Sequence, residues 1–257
     1  MGRIHLFEFE DQRWFPTFIR NYGTDFLQFI SDKTKAYEYI LPVIKKGISE
    51  NDDNKIVDLC SGGGGGLVWI NEELKKDNLK LNILLTDYYP NISTFEHIKK
   101  QSSNFDFIET PVDARNVPEE LRGLRTKFLS FHHFKPADAK KILQNAIDSH
   151  SPIAIFEIWE RSFLNLFMML YSPLSVILVT PFIRPFRLWR IIFTFLIPIV
   201  PLFIWWDGMV SILRTYSVKE MNNLVESLDN HEKFDWEFGR LKSRPGKVLY
   251  LLGTVKK

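Results

Sequence analysis

Three aspartates punctuate the first half of this sequence: Asp58 in "KIVDLCSGGGGG", Asp87 in "NILLTDYYP" and Asp113 in "PVDARNVP". Each follows a short apolar run, which places it at the carboxyl end of a strand. Asp58 stands just before five consecutive glycines that lead into the helical pattern "GLVWINEELKKD". A bare peptide bend followed by a helix start turns backbone N–H groups and a positive helix end toward one ligand. The neighbouring acids narrow the ligand. A carboxylate at the loop mouth repels a pyrophosphate and attracts an ammonium or sulfonium. Asp87, 21 residues after Gly66, suits a ribose diol, and Asp113 offers an acceptor to a base amino group. Together the three acids describe a pocket for a cationic nucleoside, of which S-adenosylmethionine is the common one.

A second group could move protons. "SFHHF", Ser130 to Phe134, ends a predicted fourth strand, and His132 or His133 could accept a proton near neutral pH. Strand alternation sends them to opposite faces, so one of the two is expected to reach the pocket. Glu157 and Glu160 in "FEIWERS" close a fifth strand on the same rim, as alternative bases or orienting groups. Glu160 with Arg161 also reads as a surface ion pair. These histidines and acids form no tight ligand cluster in the sequence, so no metal is expected.

Strands and helices must alternate to bring these groups to one edge. The pattern supplies strands at "KIVDLC", "LKLNILLTD", "FDFIETPVDA", "RTKFLSFHHF" and "PIAIFEIWE", with helices between them. "KFDWEFGRL" and "GKVLYLLGTVKK", joined by "KSRPG", read as an antiparallel hairpin. The expected fold is α/β: a Rossmann-like, mostly parallel seven-stranded sheet with a C-terminal antiparallel hairpin. Residues 1–50 are expected as an N-terminal helical cap, with a polar loop at "SENDDN". Residues 51–160 form the nucleoside-binding core, 161–207 a hydrophobic insertion, and 208–257 the completion of the sheet.

The sequence resembles the class I, Rossmann-type S-adenosylmethionine-dependent methyltransferases, over roughly residues 50 to 160 and 208 to 257. "VDLCSGGGG" is similar to that family's first motif, and Cys60 stands where its usual first glycine would be. The resemblance implies that Asp58 marks the loop, with Cys60, Ser61 and Gly63 in it, and that Gly62 and Gly64 lie under the methionine moiety. It implies that Asp87, with Tyr88 beside it, holds the ribose hydroxyls. Asp113 and Ala114 would hold the adenine, with Phe131 also at the donor. His132, His133 and Glu157 would then border the methyl acceptor. Two rival functions are a non-catalytic sensor that binds the same nucleoside at a membrane and a nicotinamide-dependent reductase.

Composition bounds the remainder. The chain has 257 residues, 45% of them hydrophobic, which suffices for one full core plus an insertion. A formal charge of +2 argues against a nucleic-acid partner. A lone cysteine and a charged amino terminus without a signal-peptide pattern suggest a cytoplasmic protein. From Phe163 to Trp206 the only charges are Arg184, Arg187 and Arg190. "FLNLFMMLYSPLSVILVTPFI" would be about 31 Å long as a helix, but Pro173 interrupts it, and "IIFTFLIPIVPLFIWW" is shorter still. A peripheral or re-entrant hairpin at the inner face of the cytoplasmic membrane is therefore expected. Its three arginines would lie near headgroups, with Trp189, Trp205 and Trp206 at the interface. An insertion that starts on the ligand rim would roof or border the acceptor site, which implies a lipophilic small molecule or lipid as acceptor. Asp207, Arg214 and Tyr216 either reach that acceptor or tie the insertion down. Trp14 and Phe15 could form a lid.

Overall fold

The computed structural model describes residues 1–49, 54–243 and 246–256. Most of the expected "SENDDN" loop and the tip of the closing hairpin lie outside these residues. After an irregular amino-terminal segment come α1 (Thr17–Thr34) and α2 (Leu41–Ser49). The core then alternates through β1 (Lys55–Leu59), α3 (Leu67–Lys76), β2 (Asn82–Thr86), α4 (Ile92–Gln101) and β3 (Phe105–Phe107). It continues with β4 (Leu124–Phe128), α5 (Pro136–Asp148) and β5 (Ile153–Glu157). The insertion holds α6 (Phe163–Met169), α7 (Ser172–Val179) and the single-turn α8 (Leu188–Ile191), and α9 (Ile199–Arg214) returns the chain to the core. Helix α10 (Val218–Glu226) and the hairpin β6 (Phe234–Ser243) and β7 (Gly246–Val255) complete it.

Among the described residues seven strands lie in the order β3-β2-β1-β4-β5-β7-β6, parallel except for β7, which runs antiparallel to both neighbours. The expected Rossmann-like sheet is therefore present. Its order reverses between β1 and β4, and ligands of open α/β sheets bind outside the strand ends at such a switch point. Strands β1, β4 and β5 are almost wholly buried, as strands covered on both faces are, although β4 carries Arg125, Thr126 and Lys127. One core cluster packs α2, α3 and α4 against one face, and a second packs α5 and α10 against the other.

Helix α1 has two functions at once. Phe15, just before it, and its residues Ile19, Tyr22 and Phe26 pack on Val176, Val200 and Phe203 of the insertion. Its opposite face looks onto the glycine loop. A Cβ at Gly63 would stand 2.5 Å from the Thr24 carbonyl oxygen, and one at Gly66 2.2 Å from the Tyr37 ring. The missing side chains thus let the cap approach the loop as well as leaving its backbone bare for a ligand.

The insertion differs from expectation in one charge. Arg190 is 1% exposed and bonded to the equally buried Asp25 at 2.7 Å, and it also donates to the carbonyls of Ile183 and Pro185. Arg187 bonds Ser93. A guanidinium buried with a carboxylate costs heavy desolvation unless its donors are satisfied, and these bonds satisfy most of them. Arg190 therefore pins the insertion to α1 and cannot lie among headgroups. No single helix among the described residues is long and apolar enough to cross a membrane. Two helix pairs, bent by 40° and 76°, pass that test only when combined.

Candidate active site

The strand ends and α1 enclose a cavity of about 550 Å³. Its floor is the glycine loop and the ends of β1, β2 and β4; its roof is α1 and the amino-terminal segment. Cys60, Ser61, Gly62 and Gly63 line it, as do Asp87, Tyr88, Asp113 and Ala114 farther along the rim. His133 lines it from the β4 side. Those nine residues of the sequence-based set are brought to one volume.

Asp87 lines the cavity from the end of β2. Its Oδ2 accepts the Gly62 N–H and its Oδ1 the Tyr89 N–H, both at 2.8 Å. Each oxygen retains a lone pair for a ligand hydroxyl, so the aspartate fixes the loop and presents a two-pronged acceptor. Burial raises its pKa above the usual carboxylate range, against the pull of those two N–H donors. Asp113 is held in a fork by Arg115, with bonds of 2.9, 3.1 and 2.7 Å. That bond holds its pKa below the usual value.

Five of the sequence-based residues lie outside the cavity lining. Asp58 is buried behind the loop, where its Oδ1 accepts the Thr126 hydroxyl at 2.6 Å. Burial pushes its pKa up to about 7. It braces β1 against β4 and does not face a cationic ligand. Gly64 has its α-carbon against Ile98, where a Cβ would come within 2.6 Å. Phe131 is buried against Tyr216. His132 and Glu157 are also buried. The reason is local: β4 stops at Phe128, and Phe131–His133 is a turn of 3₁₀-helix. Strand alternation therefore does not apply, and the two imidazoles lie side by side, 4.3 Å between ring centres.

Glu157 organises that turn. Its Oε1 accepts the N–H groups of Phe131 and His132, and its Oε2 bonds His132 Nδ1 at 2.9 Å. Burial opposes its charge, but the His132 contacts outweigh it and lower its pKa. Glu160 and Arg161 are not paired with each other, since Glu160 bonds Arg240 and Arg161 bonds Glu220.

The amino-terminal segment supplies acids to which no role was assigned from sequence. Buried Glu8 lies 2.7 Å from His133 Nδ1 and 3.9 Å from His132 Nε2. Asp11 and Glu10 approach His133 at 2.9 and 3.2 Å. Burial disfavours a charge on His133, but Glu8 and Asp11 outweigh it and hold its pKa well above the usual value. The expectation of no tight ligand cluster is thus corrected: Glu8, His132 and His133 converge. Its signal was faint, acids set in the aromatic run "FEFEDQRWF".

The segment is fastened from α9 and its C-terminal end. Asp207 accepts the Phe9 and Glu10 N–H groups at 2.8 and 3.0 Å. Arg214 bonds Asp11 and the Leu6 carbonyl, and Tyr216 lies under the Arg3 guanidinium. Of the two roles left open for Asp207, Arg214 and Tyr216, tying structure down is the one their contacts serve. What they tie down is the amino terminus. Phe15 is core, and Trp14 stays exposed. No insertion residue lines the cavity, because α1 and the amino-terminal segment stand between. Lys127, unremarked in sequence, is buried with its Nζ 2.9 Å from Cys60 Sγ and 4.7 Å from the Phe134 ring centre.

Neither a protein-family model nor a curated protein matches this chain. Solved structures do. LaPhzM is 13% identical with a TM-score of 0.50, covering 84% of this chain and 54% of its own. An O-methyltransferase family protein from Burkholderia thailandensis is 13% identical with a TM-score of 0.48, covering 85% and 56%. Human N-acetylserotonin methyltransferase, solved with S-adenosylmethionine, is 14% identical with a TM-score of 0.47, covering 90% and 56%. This chain spans about half the length of each. The likeness is one of fold, and the fold is the Rossmann-like one anticipated from the sequence.

Proposed function

We propose that this protein is a methyltransferase that uses S-adenosylmethionine and modifies an amphiphilic acceptor at a membrane surface. The observation that carries the reading is Asp87, which lines a nucleoside-sized cavity with one oxygen fixed by the glycine loop and the other by the N–H of Tyr89. Asp113 and Ala114 line the same cavity and would take the adenine edge, and the bare backbone of Gly62 and Gly63 would take the methionine moiety. The resemblance of the first motif points the same way.

Methyl transfer from a sulfonium is an in-line displacement, so the protein's main task is to align donor and acceptor in a water-poor space. The acceptor would enter on the side of His5, Glu10, Asp11 and His133, where polar groups line the cavity. A hydroxyl or amine placed there could pass its proton to this cluster, while His132 and Glu157 hold the turn that carries His133.

Two surfaces support an amphiphile as acceptor. The cavity receives a polar head, and the insertion exposes an apolar face that includes Phe163, Leu164, Leu188, Trp189 and Leu196. Phe163 is 82% and Leu196 77% exposed, and so large a run of apolar side chains is unusual on a monomer in water. Arg184 is the exposed cation beside it. Incubation of a membrane extract with methyl-labelled S-adenosylmethionine should yield a labelled, extractable product only when the protein is present. Label found in no product, with folded protein, would remove the enzymatic reading. Flotation with anionic vesicles tests the membrane part separately, and a protein that stays at the bottom of the gradient rejects it.

A further inference from the structure

We propose that Glu8, His132 and His133 form a site for one divalent transition-metal ion, with Asp11 at its cavity edge. One donor atom from each of the three lies within 4.8 Å of the others.

The histidine geometry is the first argument. Glu157 bonds His132 Nδ1, which fixes that nitrogen as the protonated one when the ring is neutral and turns the Nε2 lone pair inward. That Nε2 is buried and has no hydrogen-bond partner among the described residues. A carboxylate behind an imidazole, orienting a free second nitrogen, is the usual outer shell of a histidine metal ligand. Glu8 Oε1 lies 3.9 Å beyond it, too far for a hydrogen bond. An ion bonded to each at about 2.0–2.2 Å fits between them after a closure of about 0.5 Å.

Both carboxylates reach the imidazoles. Arg214 takes Asp11 Oδ2 at 2.6 Å, and Glu8 Oε2 lies 3.1 Å from Arg214 and 2.7 Å from His133 Nδ1. Glu8 Oε1, which also accepts the Ser211 hydroxyl at 3.2 Å, and Asp11 Oδ1 face the imidazoles. Charge points the same way. Glu8, Glu10, Asp11 and Glu157 surround two imidazoles, and Arg214 is the guanidinium paired with them. With neutral rings the cluster keeps a surplus of negative charge that either two protons or one divalent ion would offset.

Two nitrogen donors with carboxylate oxygens suit zinc, cobalt or manganese better than magnesium or calcium. The ion would join the amino-terminal segment to the Phe131–His133 turn. His133 and Asp11 border the cavity. An open coordination position would therefore face the acceptor and could polarise its hydroxyl, a role that rests on the methyl-transfer reading. The site itself does not.

The test uses the full chain, stripped with chelator and dialysed against zinc or manganese alone, with retained metal measured by mass spectrometry. The expected result is one ion per chain, with a rise in Tm. In Glu157→Gln, where only the orienting bond changes, affinity should fall about 10–100-fold, and Glu8→Gln should fall at least as far. Cobalt(II) should give a visible d–d absorption on the unaltered chain, which needs no variant to fold. Folded protein that retains less than a tenth of an ion, shows no cobalt band and carries two protonated histidines by NMR overturns the proposal. Donor binding by the stripped chain is measured separately by calorimetry, so loss of the metal site and loss of the methyltransferase reading are told apart.

Discussion

Replacing Asp87 by alanine should separate the donor-binding reading from the alternative that this aspartate only shapes the loop. The carboxylate fixes two backbone N–H groups, those of Gly62 and Tyr89, each at 2.8 Å. If it also takes two ribose hydroxyls, the variant loses two hydrogen bonds to a charged acceptor. Such bonds contribute about 1.5–3 kcal/mol each. The lower limit for the pair, about 3 kcal/mol, corresponds to at least a hundredfold in Kd. Asp87→Asn keeps one acceptor oxygen and should lose about tenfold or somewhat more. The assay is isothermal titration with the donor and with its demethylated product, alongside thermal unfolding to confirm the fold. The asparagine variant guards against a collapsed loop in the alanine one. If both variants fold and bind within threefold of the unaltered protein, Asp87 does not hold the ribose and the assignment of this cavity fails.

Further outcomes follow from the same contacts. Asp58 has a folded pKa of about 7 against roughly 4 when unfolded. Between these values the unfolded chain has lost a proton that the native one keeps, so stability falls as pH rises and levels off above about 7. Asp58→Asn should flatten the pH 4–7 part of the stability curve, by up to about 4 kcal/mol at one pK unit per 1.36 kcal/mol; parallel curves in urea titrations would contradict this. Gly63→Ala drives a Cβ toward the Thr24 carbonyl. It should cost about 1–3 kcal/mol as α1 shifts, and an unchanged urea midpoint would show that α1 is not packed there. Phe163→Asp and Leu196→Asp each remove an exposed apolar side chain worth up to about 1.5–3 kcal/mol when buried. Each should lower vesicle partition about tenfold, and wild-type partition in the double variant would mean that the membrane contacts another face.

Much of the frame was legible because its signals are local. Apolar runs ending in Asp58 and Asp87 marked two strand ends, and the glycine run marked the loop between β1 and α3. The errors have specific physical causes. "RTKFLSFHHF" keeps an aromatic, strand-like texture past Phe128, but Cα geometry turns there: Leu129 has a φ of 45° and the chain folds into a 3₁₀ turn. Asp58 reads as a ligand-facing acid, yet alternation along β1 aims it at Thr126 on the neighbouring strand. Glu8 meets His133 across more than a hundred residues of chain, a closeness that no periodicity encodes. Arg190 reads as an interfacial cation in an apolar stretch, and its partner Asp25 lies in a different amphipathic helix. The insertion begins on the ligand rim, as expected, but the packing of Phe15, Ile19 and Phe26 on it puts α1 between insertion and cavity.

If the methyltransferase reading holds, the cavity closed by α1 over the glycine loop takes a cationic nucleoside through Asp87. Calorimetric titration of S-adenosylmethionine into the purified, folded chain, with NAD as comparison, addresses it most directly. One donor per chain should bind saturably, competed by the demethylated product, and NAD should give no heat. Heat with NAD alone, or none with donor and product alike, would contradict it.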